Sequence, residues 1–166
     1  VGWTAALITF GIGDTVTTGQ PLAFPDIPRF APENFAVLLN TDISRHKQFH
    51  KGLRQLEEEG ATQVLHQAGY VRREPILAVV GALQFDVVLA RLRQEYGVDA
   101  RLTHLPYRHA RWVEGTPEAI DRMVVPSRDA MRCIDRTTRT VLLFESPWAL
   151  DYCQRENPDI AFRDVG

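Results

Sequence analysis

Two histidines, His46 and His50, stand four residues apart in the first half of the chain. In a helix this spacing places two imidazoles on the same face, as in a helical pair of metal ligands. The zinc-protease motif also needs a glutamate directly after the first histidine, but Lys47 occupies that position. Because the neighbouring residues are basic, we interpret the pair as part of a solvated helix surface.

Phosphate-cradling and nucleophilic motifs are missing from the chain. A P-loop needs a Gly-Lys pair, and the sequence contains none. Gly11 and Gly13 form only a Gly-x-Gly, which is typical of a plain turn. None of the three serines lies in a Gly-x-Ser-x-Gly turn. The sequence therefore predicts no catalytic, cofactor-binding or metal-binding residue.

The two cysteines, Cys133 and Cys153, are too few for a disulfide framework and do not form a Cys-x-x-Cys pair. We predict two reduced, mostly buried thiols in a cytoplasmic protein. A thiol enzyme that uses one of them with a histidine remains an alternative.

A further candidate for acid–base chemistry is the run Glu57-Glu58-Glu59. Because the three residues are consecutive, their side chains point in three directions around a helix. We interpret the run as the solvated end of that helix.

A basic stripe is the best candidate for a partner surface. Phe49, Leu53 and Leu56 repeat with the period of one helix face and predict its buried side. The candidate contact residues then lie largely on the other side: Arg45, Lys47, His50, Lys51 and Arg54. Such a face could meet phosphates. A second, looser basic set comprises Arg91, Arg93, Arg101, Arg108 and Arg111.

The elements that position these residues are organised around the stretch 76–105. An apolar run at 76–80 predicts a buried strand, and the spacing of Phe85, Val88 and Leu92 predicts a helix. Gly97 sits at the C-cap, where a left-handed conformation is favoured. Alternation from Val98 then predicts a second strand. If the two strands are parallel neighbours, their crossover should be right-handed.

Extended over the chain, the pattern predicts an α+β fold with antiparallel sheets. Residues 33–106 read as a ferredoxin-like βαββαβ unit, with strands expected at 62–66 and 70–73, and residues 109–163 suggest a second one. Residues 1–28 resemble the tail of a β-barrel domain followed by a Pro-rich linker, so the C-terminal domain should cover 29–166.

The composition excludes two classes of protein. The chain has 166 residues, of which 45% are hydrophobic, and no long apolar run, which is typical of a non-membrane domain. Its net charge of −2 argues against a protein dedicated to bare nucleic acid.

Three stretches of the sequence carry a resemblance to a known family. The first is Lys51-Gly52-Leu53-Arg54-Gln55-Leu56-Glu57-Glu58-Glu59-Gly60-Ala61-Thr62-Gln63-Val64, the second is Gly81-Ala82-Leu83-Gln84-Phe85-Asp86-Val87-Val88, and the third is Ala110-Arg111-Trp112-Val113-Glu114. Together with Gly13-Asp14-Thr15 and the Pro-rich linker, they resemble bacterial peptide chain release factor 3. The similarity covers nearly the whole chain and weakens after about residue 140. Elongation factor G shares the expected fold of the first half, but these motifs favour the release factor.

The resemblance implies a translational GTPase of the cytoplasm that removes decoding release factors from the ribosome. Its GTP and Mg²⁺ would bind an N-terminal domain whose residues have no counterparts here, so this chain would be a non-catalytic piece of a longer protein. Its expected partners are ribosomal RNA and protein and its own N-terminal GTPase domain, with no membrane and no small-molecule substrate. A stand-alone RNA-binding ferredoxin-like domain is the second alternative, beside the thiol enzyme.

We predict that this chain alone neither binds nor hydrolyses guanine nucleotides, because it lacks a P-loop. Calorimetric titration with GTP and Mg²⁺ should give no saturable heat. A micromolar dissociation constant for GTP would contradict the prediction.

Overall fold

A computed structural model describes residues 18–20, 30–69 and 74–165. In chain order its elements are β1 Asn34–Asn40, a short 3-10 helix Ile43–Arg45, α1 His46–Glu58, β2 Gln63–Gln67, β3 Ile76–Val79, α2 Leu83–Tyr96, β4 Ala100–His104, β5 His109–Glu114, α3 Pro117–Arg122, β6 Ala130–Ile134, β7 Thr140–Phe144, α4 Pro147–Glu156 and β8 Ala161–Arg163. The predicted α+β class is confirmed.

The eight strands form one sheet in the order β4-β1-β3-β2-β6-β7-β5-β8, and every neighbouring pair is antiparallel. The two halves of the chain have the same element order and the same internal strand order. They are joined in the sheet by β2 and β6, whose ladder has only two residue pairs, His66 with Ile134 and Gln67 with Cys133. The chain thus builds two similar halves on one sheet.

Three apolar clusters show how the layers are stacked. Side chains on alternate strand positions point to opposite faces of a sheet. Ala36 and Leu38 of β1 pack beneath α1 and α2, whereas Phe35 of the same strand packs with Trp112 and Val141 of the second half. A third cluster lies under α4 and includes Phe144 and Cys153, together with Leu142. Helices therefore cover the two outer faces, and the inner faces of the two halves bury each other.

The central unit follows the sequence pattern closely. Phe85, Val88 and Leu92 are buried on α2, and Gly97 ends the helix with φ of 64°. Its amide donates to the carbonyls of Leu92 and Arg93, which would otherwise lack partners. The strands β3 and β4 are not neighbours, because β1 lies between them. The condition for a simple β-α-β crossover between adjacent parallel strands is therefore not met.

Polar side chains fix the helix starts of the second half. Thr116 and Ser146 accept hydrogen bonds from the amides of Ala119 and Ala149, and a proline follows each cap. This arrangement satisfies amides that have no partner inside the helix. The Thr-Pro and Ser-Pro pairs at 116–117 and 146–147 thus mark the starts of α3 and α4.

Some predicted elements lie outside the described residues. These are the strand at 70–73, the Gly-x-Gly turn at 11–13 and most of the segment assigned to a β-barrel tail and linker at 1–28. Elsewhere the predicted strands and helices begin and end within a few residues of the observed ones, for example 62–66 against Gln63–Gln67.

Gly52 sets the distance between α1 and α2. It is buried on α1, and a Cβ placed there would lie 2.8 Å from Cγ and Cδ2 of the Tyr96 ring and 3.0 Å from Cδ2 of Leu92. These ring atoms lie close to the Tyr96 backbone. They can move away only if the Tyr96 side chain changes rotamer or the two helices separate. The helices therefore pack closely because residue 52 has no side chain.

We expect Gly52→Ala to destabilise the fold. Alanine gains about 1 kcal/mol of helix propensity over glycine, but overpacking a closed contact costs about 1–3 kcal/mol. Urea unfolding should therefore show a lower midpoint. Gly81→Ala is the control for a Cβ added in open space, since a Cβ there meets nothing within 4 Å. A Gly52→Ala protein as stable as the Gly81→Ala protein would show that the helices have room to spare.

Candidate interaction surface on the first helix

The α1 helix separates an apolar side from a basic side. Phe49, Leu53 and Leu56 are buried in the first cluster, as the sequence predicts. Lys47 and Lys51 are exposed, as is Arg54. None of these three cations forms an ion pair with a residue that the structure describes. Their charges are therefore available at the surface.

Arg45 does not join this group. It precedes α1, and its Nε lies 3.8 Å from a carboxylate oxygen of Asp42. Its guanidinium lies beside Gly97 at the C-terminal end of α2, where a cation interacts favourably with the helix dipole. We therefore define the basic face of α1 as Lys47, Lys51 and Arg54, and Arg45 stands apart from it.

His50 borders the basic face but carries less charge than its neighbours. Its Nε2 lies 3.1 Å from Nε2 of His46, and the two ring centroids are 4.3 Å apart. Partial burial, together with the charges of His46 and His66, lowers the pKa of His50. At neutral pH it therefore offers a hydrogen-bonding ring and little charge.

At the end of α1, Glu58 and Glu59 are exposed, as the sequence predicts for a solvated end, whereas Glu57 is half-buried. Glu57 accepts a hydrogen bond from the amide of Val64, and burial raises the pKa of its carboxyl group. Glu58 pairs with Arg136 of the second half at 3.1 Å. Glu59 pairs with Arg91 of α2. Each carboxylate thus fastens α1 to a different part of the molecule.

Four of the five arginines in the second basic set have partners among the described residues, and Arg101 is exposed on β4. Arg91 is engaged by Glu59 and Glu95, Arg93 by Asp99, and Arg111 by Asp164. Arg108 donates to the side-chain oxygen of Asn34. These contacts were invisible in the sequence because most partners are distant along the chain.

An aromatic pair on α4, with Trp148 exposed and Tyr152 half-buried, was not predicted from the sequence. Trp148 is 61% exposed, and its ring stacks on Tyr152 with centroids 5.6 Å apart. Trp148 lines an open depression with Asp151, Gln154 and Arg155. The available signal was the i, i+4 spacing of the two aromatic residues on a helix whose buried side is supplied by Ala149, Leu150 and Cys153.

Both cysteines are fully buried and free. Burial raises the pKa of Cys133 to about 12 and that of Cys153 to about 11. The Cys153 thiol lies 3.4 Å from the carbonyl oxygen of Val124 and 3.6 Å from the side-chain amide of Asn157. Their predicted burial is confirmed, and neither thiol has the electropositive, accessible surroundings of a nucleophile.

Two general features of the described residues bear on the kind of site present. Within ranges 18–20, 30–69 and 74–165, no group of three or more His, Cys, Asp or Glu side chains is placed to hold a metal ion. In the same ranges, no helix has the length and apolar character needed to cross a membrane.

The fold and its surface define an α+β module whose first helix presents a basic face. Residues 24–154 match the family model described as "Class II release factor RF3, C-terminal domain". The chain belongs to this family. The match covers α1, α2 and most of the second half.

Several curated relatives carry the name peptide chain release factor 3. The chain is similar to those from Gloeobacter violaceus (45% identical over 161 residues) and Symbiobacterium thermophilum (46% over 154 residues), which cover 95% and 93% of it. It is also 46% identical over 151 residues to the protein from Acaryochloris marina, which covers 91% of it. The chain spans about 30% of the length of these relatives, since the matches cover 30%, 29% and 28% of them.

We expect both thiols to be inert in the folded protein, because thiolate is scarce at pH 7 when the pKa is about 11 or 12. Titration with a chromogenic disulfide reagent should show no fast-reacting thiol under native conditions and two in denaturant. A native thiol that reacts within seconds at pH 7 would contradict this and favour the thiol enzyme.

Proposed function

We propose that this chain is a non-catalytic C-terminal module of a translation-termination GTPase that promotes GTP-dependent release of decoding release factors from the ribosome. The observation that carries the proposal is the family match over 24–154, together with relatives named peptide chain release factor 3. Such a module acts in the cytoplasm by binding and orientation, and nucleotide chemistry takes place in another domain of the longer protein.

The proposed division of the chain follows its architecture. Residues 1–28 would be the tail of a β-barrel domain with its linker, and 29–166 the C-terminal domain. Within it, 33–106 and 109–163 would each be a ferredoxin-like unit. The repeated element order and the strand orders β4-β1-β3-β2 and β8-β5-β7-β6 support this division.

The basic face of α1 is the proposed ribosome contact. Lys47, Lys51 and Arg54 are exposed and have no ion-pair partner in the described part of the chain, so they can neutralise phosphates or an acidic protein surface. His50 at its border would add a hydrogen bond. Arg45 would contribute only if its guanidinium left the end of α2.

Coupling to nucleotide state is proposed to be mechanical. GTP and Mg²⁺ would bind the N-terminal domain of the longer protein, and that domain would be the intramolecular partner of this module. The inner faces of the two halves bury each other, so the module would move as a rigid body when either half is displaced. It would then link the GTPase domain to the ribosome without chemistry of its own.

The stand-alone RNA-binding domain is the competing function, and the exposed cations of α1 are what favour it. A bare RNA binder would bind isolated RNA with a steep salt dependence. The proposed module would instead need the assembled ribosome. Comparing the salt dependence of binding to isolated RNA with that of binding to terminated ribosomes separates the two.

We predict that reversing Lys47, Lys51 and Arg54 to Glu in the longer protein weakens ribosome binding and release-factor recycling. Each lost phosphate contact should flatten the slope of log affinity against log salt by about one unit. The fold should survive, because exposed substitutions usually change stability by about 0.5 kcal/mol or less each. Equilibrium binding to purified terminated ribosomes at several salt concentrations measures both effects.

Reversal of Arg122, Arg128 and Arg155 to Glu is the matched control, because it changes the charge equally on exposed residues of the second half. Leu53→Ala is a second control, which lowers stability without changing a surface charge. It should cost about 2–5 kcal/mol of stability through a cavity while the basic face stays intact. Recycling at the wild-type level by the folded α1 charge-reversal protein would mean that this face is only solvated.

A further inference from the structure

The histidine pair at the start of α1 has a close ring arrangement that the proposed role of the basic face does not explain. His46 and His50 lie on consecutive turns, both are exposed, and their Nε2 atoms are 3.1 Å apart. The rings are tilted by 58°, so they are not stacked. Without a ligand, one ring nitrogen donates its hydrogen to the other. Two ring nitrogens on one helix face are thus held at a short distance from each other.

We propose that His46 and His50 form a two-imidazole site for a borderline divalent transition-metal ion such as Zn²⁺ or Ni²⁺. This inference is independent of the proposed role at the ribosome. Imidazole nitrogens bind such ions at about 2.0–2.1 Å. With the two nitrogens 3.1 Å apart, those bond lengths give an N–metal–N angle of about 98°. That angle lies between the right angle of octahedral and the wider angle of tetrahedral coordination, so the separation of the two nitrogens suits either geometry.

Binding needs no external reagent and no change in net protonation of the neutral pair. The ring that donates through Nε2–H moves that hydrogen to Nδ1, and both Nε2 lone pairs then point to the ion. Because both residues are exposed, water completes the coordination.

Charge around the pair limits the affinity. Among the groups that act on His50, Arg54 and His66 oppose a cation and Glu74 favours it. An ion held mainly by charge, such as Mg²⁺, gains little here because it prefers oxygen ligands. An ion with an intrinsic preference for imidazole overcomes the repulsion. The site should therefore select by ligand chemistry rather than by charge.

The same geometry ties the ion to the folded helix. The two imidazoles meet only when residues 46–50 are helical, and in an unfolded chain the chelating arrangement is lost. A ligand that binds the folded state better than the unfolded one raises stability. Ion binding should therefore raise the midpoint of thermal unfolding.

The experiment is calorimetric titration of the chain with NiCl₂ or ZnCl₂, with MgCl₂ as the ion control. His46→Gln and His50→Gln each remove one ligand, and His66→Gln is the matched histidine control. We expect one saturable site in the wild-type and His66→Gln proteins. Each of the other two variants should bind roughly tenfold more weakly or worse, because a chelate becomes a single contact. Thermal unfolding should follow the same order.

The proposal is overturned by any of three results. They are no saturable Ni²⁺ or Zn²⁺ binding by the wild-type chain, unchanged affinity in either His46→Gln or His50→Gln, and equal loss in His66→Gln. Circular dichroism of each variant shows that it is folded, so a loss of binding is not a loss of the helix.

Discussion

The whole architecture depends on strands that bury both of their faces. Phe35 and Ala36 are adjacent in β1, point to opposite sides of the sheet and are both almost completely buried. A sheet with two apolar faces needs two covers. The helices of the first half supply one, and the sheet of the second half supplies the other. Neither half would be complete alone, because each would expose the side of its sheet that the other now buries.

The position of the basic face follows from this constraint. The apolar side of α1 must reach Leu77 and Val79 on the sheet, and Gly52 lets α2 pack closely beside it. Glu57, Glu58 and Glu59 then hold the end of α1 to β2, the second half and α2. A helix fixed on its buried side and at its end presents its remaining side chains in a defined orientation. The lysines of that face owe their placement to the buried side of α1 and to the contacts at its end.

Much of the fold could be predicted from the sequence where the determinants are local. The periodicity of Phe85, Val88 and Leu92, the C-cap at Gly97 and the Thr116 and Ser146 caps each depend on residues within a few positions. The alternation of apolar and polar residues from Val98 likewise predicted the strand observed as β4. The basic face was predicted from helical spacing, since one turn of a helix decides which side is buried.

What could not be predicted depends on residues far apart in the chain. Arg45 was grouped with the lysines by proximity in sequence, yet it lies at Gly97. Glu58 and Glu59 are exposed as expected, but their ion-pair partners, Arg136 and Arg91, could not be predicted. The pairing of β2 with β6 has no local signature, because a ladder of two residue pairs leaves almost no pattern to read. Local rules describe the elements, and long-range packing decides which side chains remain free.

The shared inner cluster also has a consequence for the order of folding. It joins Phe35 to Leu143, so more than half of the chain must be in place before this cluster can close. Contacts between such distant residues require closure of long loops and therefore form slowly. On a ribosome that releases the chain from its N-terminus, the first half would emerge with the inner face of its sheet uncovered until β5, β6 and β7 follow. That interval, rather than the finished structure, is when the chain is most vulnerable to aggregation.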